Sequence, residues 1–203
     1  MAITINGNGT ITGISVGGLP DGIVDTDMIA ANAVTSAKSS GLGGLTMVEQ
    51  WELSDEVTVS SASTHHLTGT WAKRNQNGAG TIGASGMSVS SGIFTFPSTG
   101  VYKVDLMGRF RNSYGTGRRR VQSQIYTTHD NSTYIQTALG GANLSNRGST
   151  TSGSDMVSII FDVQDTSNYK VTFKINFSNE GRINARSSDT TATCAIFMKL
   201  GDT

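Results

Sequence analysis

The stretch Tyr169-Lys-Val-Thr-Phe-Lys-Ile-Asn-Phe177 places an apolar side chain at every second position and a polar side chain between each pair. A period of two over nine residues predicts a β-strand with one buried face and one wet face. The same alternation recurs in two further segments, at Val157, Ile159, Phe161 and Val163, and at Tyr102, Val104 and Leu106. Several such strands, without amphipathic helices between them, predict an all-β antiparallel sandwich or jelly roll.

Polar turn residues separate these strands. Asp165-Thr-Ser-Asn168 follows one alternating segment and precedes another, so residues 156–178 are predicted to form a hairpin. His129-Asp-Asn-Ser132 separates residues 121–128 from residues 134–139 in the same way. The composition agrees with short strands and tight turns, because the 203 residues include 25 glycines and only 2 prolines.

Residues 1–45 differ from the remainder because they contain no Phe, Tyr or Trp. They carry a short degenerate repeat, Val24-Asp-Thr26 and Val34-Thr-Ser36, at a spacing of ten residues. A unit this small cannot bury its own apolar side chains and becomes stable only against neighbours or other copies. We therefore predict an extended attachment stalk over residues 1–45 and a head domain over residues 46–203. Whether the stalk is strand or short helix stays open, and a low-complexity linker is the alternative.

The final strand, residues 192–200, is rich in apolar side chains on both faces. The face of Ala192, Cys194, Ile196, Met198 and Leu200 is wholly apolar and is predicted to enter the core. The opposite face carries Ala195 and Phe197, and a neighbouring subunit is predicted to cover them. The alternative is an ordinary outer face with one exposed Phe.

The net charge of zero conceals an uneven distribution. Residues 1–60 carry seven acidic and one basic side chain, whereas residues 61–147 carry two acidic and nine basic ones. A basic segment of this kind can guide association with an anionic partner. Its densest part surrounds the glycine-rich loop Asn112-Ser-Tyr-Gly-Thr-Gly117, a typical position for binding groups.

Guanidinium groups form bidentate hydrogen bonds with carboxylates and phosphates, which suits binding to an anionic glycan of a cell surface. The predicted glycan- or receptor-binding residues are Arg109, Arg111, Tyr114, Arg118, Arg119 and Arg120. Tyr114 and Trp71 are expected to add stacking surface for sugars. The alternative is that these arginines form ion pairs between subunits, with Glu49, Asp55 or Asp105 as partners.

The sequence offers little for catalysis, metal binding or a cofactor, and we expect none of the three. Cys194 is the only cysteine, which excludes an internal disulfide or a multi-thiolate zinc site, and a buried unreactive thiol is expected. His65 and His66 are adjacent and would point to opposite faces of a strand. An enzyme that degrades glycans would need paired carboxylates in a cleft, and the basic segment holds only Asp105 and Asp130.

Two classes of partner are not expected. No segment approaches the roughly 18 consecutive apolar residues of a membrane span, so membrane insertion is not predicted. No groove-reading motif accompanies the basic segment and the whole chain is neutral, so a nucleic-acid partner is not predicted either.

Gly92-Ile-Phe-Thr-Phe-Pro-Ser-Thr-Gly-Val-Tyr-Lys-Val104 resembles the signature of trimeric jelly rolls related to the complement globular head and tumour necrosis factor (TNF). In that family an aromatic strand runs into a turn and then into Gly-x-Tyr-x-Val. Residues 162–169 and 197–203 resemble versions of this domain in virion fibre proteins of tailed bacteriophages. Residues 11–22, together with Val34-Thr-Ser-Ala-Lys38, are similar to short phage tail-fibre stalks.

The resemblance covers most of the chain and implies a TNF-like jelly roll that assembles as a homotrimer. It implies that the last strand lies at the threefold axis, with the trimer interface at Ala195, Ile196, Phe197 and Met198. It also implies a non-enzymatic component of the virion, located in a tail fibre or on the capsid surface.

The function predicted from these features is that of a tail-fibre, receptor-binding protein of a bacteriophage. Residues 1–45 would attach to other tail or capsid proteins, and the head would bind a glycan or protein of the bacterial host surface. The alternative is a capsid decoration or head-fibre protein that stabilises the particle, and the sequence does not separate the two.

Overall fold

The computed structural model describes residues 4–5, 11–12, 45–75, 80–83, 86–112, 119–144, 151–185 and 191–203. The chain divides into two compact units, Met1–Gly44 and Leu45–Thr203. The described residues of the first unit form two paired antiparallel strands, β1 (Thr4–Ile5) and β2 (Ile11–Thr12). The repeat predicted to build the stalk lies outside the described residues.

The described part of the second unit is built from antiparallel strands and contains no helix, so it also contains no helix that could cross a membrane. Its strands are β3 (Met47–Leu53), β4 (Val57–Val59), β5 (Ser63–His66), β6 (Trp71–Lys73), β7 (Ser88–Ser90), β8 (Ile93–Thr95), β9 (Gly100–Asn112), β10 (Arg119–Thr128), β11 (Ile135–Leu139), β12 (Ala142–Leu144), β13 (Thr151–Val163), β14 (Lys170–Phe177), β15 (Gly181–Ile183) and β16 (Cys194–Gly201).

The strands form two sheets with a core between them. In sheet A the order is β13, β9, β16, β3 and β6, and β15 pairs both with the end of β9 and with β4. In sheet B the order is β11, β10, β14, β8 and β7, with β12 also on β10 and β5 also on β14. The prediction of an all-β antiparallel sandwich is confirmed.

Strand β14 has the predicted alternation. Val171, Phe173, Ile175 and Phe177 are fully or almost fully buried and belong to the core. The opposite face is less exposed to solvent than its polar side chains suggest, because Lys170 and Thr172 are buried as well. Lys170 Nζ donates to the carbonyl of Thr166 at 2.6 Å, and Thr172 Oγ1 donates to the carbonyl of Gly92 at 2.8 Å.

One of the two predicted hairpins is confirmed and the other is wrong. Strands β10 and β11 pair on either side of the turn at residues 129–132, with Gln124 opposite Leu139. Strands β13 and β14 do not pair, because β13 lies beside β9 in sheet A and β14 lies beside β10 in sheet B. The turn at residues 165–168 therefore carries the chain from one sheet to the other. Both strands have one buried face, and that pattern fits either arrangement.

The predicted orientation of β16 is reversed in the structure. Ala195 and Phe197 are fully buried in the core, whereas Ile196 and Met198 are only partly buried on the opposite face. Cys194 is buried but does not belong to the core cluster. Ala195 and Phe197, predicted at a subunit interface, therefore pack inside their own subunit. Both faces of this strand are apolar, so its periodicity could not decide which face turns inward.

Phe197 belongs to an aromatic cluster that joins the two sheets. Its ring lies 5.0 Å from that of Phe94 and 6.1 Å from that of Phe173, measured between centroids. The ring of Phe94 also meets Trp71 edge-on at 5.4 Å. Such ring pairs add about 0.5–1.5 kcal/mol each beyond the burial of their area. The cluster thus fixes which face of β16 is inside.

The orientation of β16 can be tested with two neighbouring substitutions. Phe197→Ala should lower the free energy of unfolding by about 3–5 kcal/mol, because it leaves a cavity in the aromatic cluster. Met198→Ala removes a partly exposed side chain and should lower it by only about 1 kcal/mol. Urea unfolding at one fixed protein concentration measures both values. A larger loss for Met198→Ala than for Phe197→Ala would contradict the orientation described here.

Glu49 on β3 is a buried carboxylate that connects three segments of the sandwich. Its Oε2 accepts hydrogen bonds from Trp51 Nε1 and from the backbone amide of Met87, both at 3.0 Å. Its Oε1 is paired with Lys73 on β6. Gly86 makes room for this carboxylate, since a Cβ atom at that position would lie 1.6 Å from Oε1.

Gly86→Ala should therefore displace the Glu49 carboxylate from its donors. A buried polar group left without its partner costs about 1–3 kcal/mol, and we expect a loss of that size in the free energy of unfolding. Gly80→Ala is the matched control, because a Cβ atom at Gly80 meets nothing within 4 Å. Equal stability of the two variants in urea unfolding would show that Glu49 does not depend on Gly86.

Candidate functional site

The predicted arginine site is spread over both sheets. Arg109 and Arg111 lie near the end of β9 in sheet A, whereas Arg119 and Arg120 begin β10 in sheet B. Tyr114, Arg118 and the side chain of Arg119 lie outside the described residues. Arg109 and Arg120 are exposed. The described part of the chain therefore does not gather the predicted residues onto one face.

Arg111 is held inside its own subunit. Its Nη2 lies 3.2 Å from Glu56 Oε2, and Arg182 Nη1 on β15 lies 2.6 Å from Glu56 Oε1. One carboxylate thus binds two guanidinium groups across neighbouring strands, where Arg111 stands opposite Arg182. This supports a structural role for Arg111, with Glu56 as a partner that the sequence did not point to.

Two of the three acidic partners proposed for the arginines already form ion pairs with lysines of the same subunit. Glu49 is paired with Lys73, and Asp105 is paired with Lys103 on the same strand. Trp71, expected to stack on sugars, is buried in the core and donates from Nε1 to the carbonyl of Leu67 at 3.0 Å. That expectation is wrong, because the indole has no free face for a sugar.

The two adjacent histidines of β5 have separate partners. His65 stands opposite Ile175 and is hydrogen-bonded through Nε2 to Ser63 Oγ at 2.7 Å. His66 is hydrogen-bonded to Thr172 Oγ1, and burial, together with the nearby charge of Lys174, lowers its pKa. These contacts fit structural roles for both side chains.

The side of sheet A turned away from the core carries a patch that the sequence analysis missed. We call it the outward face of sheet A and define it by Lys103, Asp105 and Met107 on β9, Ile196 and Met198 on β16, and Met156 and Ile160 on β13. Met156 is 65% exposed and Ile160 is 61% exposed. The signal was present in β13, where apolar residues at positions 156 and 160 interrupt the polar face.

The rows across this face follow from the strand register. Met107 stands between Cys194 and Met156, and Lys103 stands between Met198 and Ile160. Asp105 lies in the row between them, opposite Ile196 and Ser158. The outward face of sheet A therefore combines apolar side chains with one ion pair and the polar side chain of Ser158.

Asp105 is the least expected group on this face. It is only 5% exposed although it points away from the core, and one of its oxygens is paired with Lys103. Its other oxygen, Oδ1, is buried and has no hydrogen-bond partner among the described residues. A cavity of about 260 Å³ lies beside it, lined by Gln50, Asp105, Met107, Met156, Thr191, Cys194 and Ile196.

The Cys194 thiol faces the same cavity. Burial raises its pKa to about 11, and the charges of Glu52 and Asp105 act in the same direction. Glu52 is itself buried and lies 2.9 Å from Arg74 Nη1. The thiol is thus kept neutral and shielded, as the sequence analysis expected of it.

This environment predicts the behaviour of the thiol in labelling. At pH 8 the native protein should react with a disulfide reagent much more slowly than the same protein in 6 M guanidinium chloride. Because the folded pKa lies above the unfolded one, the contribution of the neutral thiol to stability is present at neutral pH. That contribution is lost as the pH rises above the ordinary thiol range toward 11. Native labelling as fast as that of a free cysteine would contradict the shielding.

Comparison with known proteins bears on the fold alone. No protein-family model matches the chain, and no curated protein matches it in sequence. Eiger TNF from S. frugiperda superposes with a TM-score of 0.54 at 11% identity, over 79% of this chain and 96% of that one. Two crystal structures of murine APRIL are more distant, with TM-scores of 0.43 and 0.41 at 14% and 15% identity, over 76% of this chain and 98% of theirs. The second unit therefore has the TNF-like jelly-roll fold that its sequence predicted.

Proposed function

We propose that this chain is a virion protein of a tailed bacteriophage, a tail-fibre head that works as a homotrimer and binds the bacterial host surface. In this proposal residues 1–45 join it to other tail or capsid proteins. Several heads on one particle would convert weak binding by each head into firm attachment.

The outward face of sheet A supports the homotrimer in this proposal, whereas the phage role rests on the resemblance of the sequence. Met156 and Ile160 are large, apolar and mostly exposed, and they lie across β9 from partly buried Ile196 and Met198. Exposed apolar surface of this kind usually marks a site of protein association. A threefold assembly would cover it and would place three heads around one stalk. Of the four residues predicted at the interface, Ile196 and Met198 fit this arrangement.

A binding role is supported over catalysis by the surroundings of the carboxylates. Glu49 and Glu52 are buried and paired with Lys73 and Arg74. Asp130 accepts hydrogen bonds from the backbone amides of Thr133 and Ser132, and these bonds hold its pKa well below the usual range. These carboxylates serve the fold and its turns, whereas glycan hydrolysis needs two of them facing a substrate cleft.

One observation favours the second candidate, a capsid decoration or head-fibre protein. The guanidinium of Arg111 is ion-paired with Glu56, and Arg109 lies in a different sheet from Arg120. A particle-stabilising protein needs the stalk and the assembled head but needs no receptor site. Labelled antibody against the protein, imaged on intact virions, separates a tail location from a capsid location.

Receptor binding by the arginines can be tested with a triple variant. Arg118→Ala with Arg119→Ala and Arg120→Ala should lower adsorption of the virion to host cells about tenfold or more, because each guanidinium contributes charge-assisted hydrogen bonds. Adsorption is measured by counting unbound particles, and the oligomeric state of the purified variant is measured by sedimentation.

Arg182→Ala is the control, since it removes a guanidinium that Glu56 already binds. It should leave adsorption unchanged. If the triple variant adsorbs like the wild type, the arginines are not the receptor site. If it loses its trimer, the arginines hold the assembly together instead.

A further inference from the structure

We propose that the outward face of sheet A docks on a second copy of this chain, and that Asp105 is its polar anchor. In this arrangement Asp105 Oδ1 accepts a hydrogen bond from a cationic side chain of the second copy. The inference rests on the homotrimer proposed above and adds the residue that fixes how the copies meet.

The first argument is that Asp105 is only half satisfied within one subunit. Lys103 pairs with Oδ2, while Oδ1 is buried without a partner. An ionised carboxylate that is more than nine-tenths buried is costly unless both oxygens are hydrogen-bonded. Neither neighbour in register supplies the missing donor, because Ile196 has none and the hydroxyl of Ser158 makes no hydrogen bond to Oδ1.

The second argument is the cavity beside this oxygen. It measures about 260 Å³ and has Met107, Met156 and Ile196 among its walls. A long cationic side chain fits such walls, because its methylene stem lies along apolar surface while its charged end reaches a carboxylate. The charge of Glu52, which acts on the neighbouring Cys194 thiol, adds to the negative potential there.

The third argument identifies the occupant as another copy. Arg109 lies on the same strand with its side chain exposed, and its guanidinium has no partner among the described residues. The chain itself therefore offers the cation that Asp105 lacks, and Met156 and Ile160 offer apolar surface for the contact. In a closed threefold ring each copy presents one surface to its neighbour and receives a different one. One chain can thus supply both halves of the contact.

The test compares Asp105 with a carboxylate that lies in a turn outside sheet A. Asp105→Asn keeps the shape of the side chain and removes its charge. Truncating one partner of a buried charge pair at an interface weakens association by about 30-fold or more, and we expect that rise in the dissociation constant. Sedimentation over a range of concentrations measures it on the full-length protein.

Asp165→Asn is the matched control. Asp165 lies in the turn between β13 and β14, and it accepts a hydrogen bond from the backbone amide of Ser167 at 2.7 Å. This variant should associate like the wild type. Equal dissociation constants for Asp105→Asn and the wild type would overturn the inference, because Oδ1 would then be served by water alone. A monomeric wild type would overturn the proposed trimer as well, and that result needs no variant.

A second measurement covers the case in which Asp105→Asn does not fold. Arg109→Ala leaves Asp105 in place and removes the exposed cation of the same strand. It should raise the dissociation constant of the assembled protein about as much as Asp105→Asn, and sedimentation measures it. An unchanged dissociation constant would overturn the inference.

Discussion

Strand β16 imposes the constraint on which the rest of the head depends. It is hydrogen-bonded along one edge to β9 and along the other to β3, so its position in sheet A is fixed on both sides. Its side chains then point alternately to two faces, and both faces are apolar. Phe197 settles one face by packing against Phe94 and Phe173 of the opposite sheet. The other face, with Ile196 and Met198, is left without an opposite layer in the part of the subunit that the structure describes.

The strands with one polar face were predictable from the sequence, and the reason is local. In β14 the apolar positions form a single alternating set, so the buried face follows from the period alone. The turn at residues 129–132 also identified its hairpin correctly. In β16 both sets are apolar, and only the packing of Phe197 against sheet B decides between them. The crossing from β13 to β14 was equally hidden, because a turn and two alternating strands do not specify whether the strands pair.

The candidate site was predictable only where residues act through their immediate neighbours. The expected shielding of Cys194 needed nothing more than its apolar surroundings in the chain. The arginines looked like one group because they are close in sequence, yet the structure places Arg109 and Arg120 on different sheets and gives Arg111 to Glu56. Glu56 is far from both of its arginines in sequence, so no local pattern reveals the contact.

The ion pair on the outward face links the stability of one subunit to the choice of partner. An apolar surface alone would bind many other apolar surfaces, because the hydrophobic effect has no direction. A carboxylate with one unsatisfied oxygen penalises any partner that covers it without a donor, and it therefore selects both a partner and a register. In the single subunit the burial of this carboxylate costs free energy, since Asp105 is buried there and Oδ1 has no hydrogen-bond partner among the described residues. In the proposed trimer the second copy relieves that cost, so the same residue would disfavour indiscriminate association and favour one defined assembly.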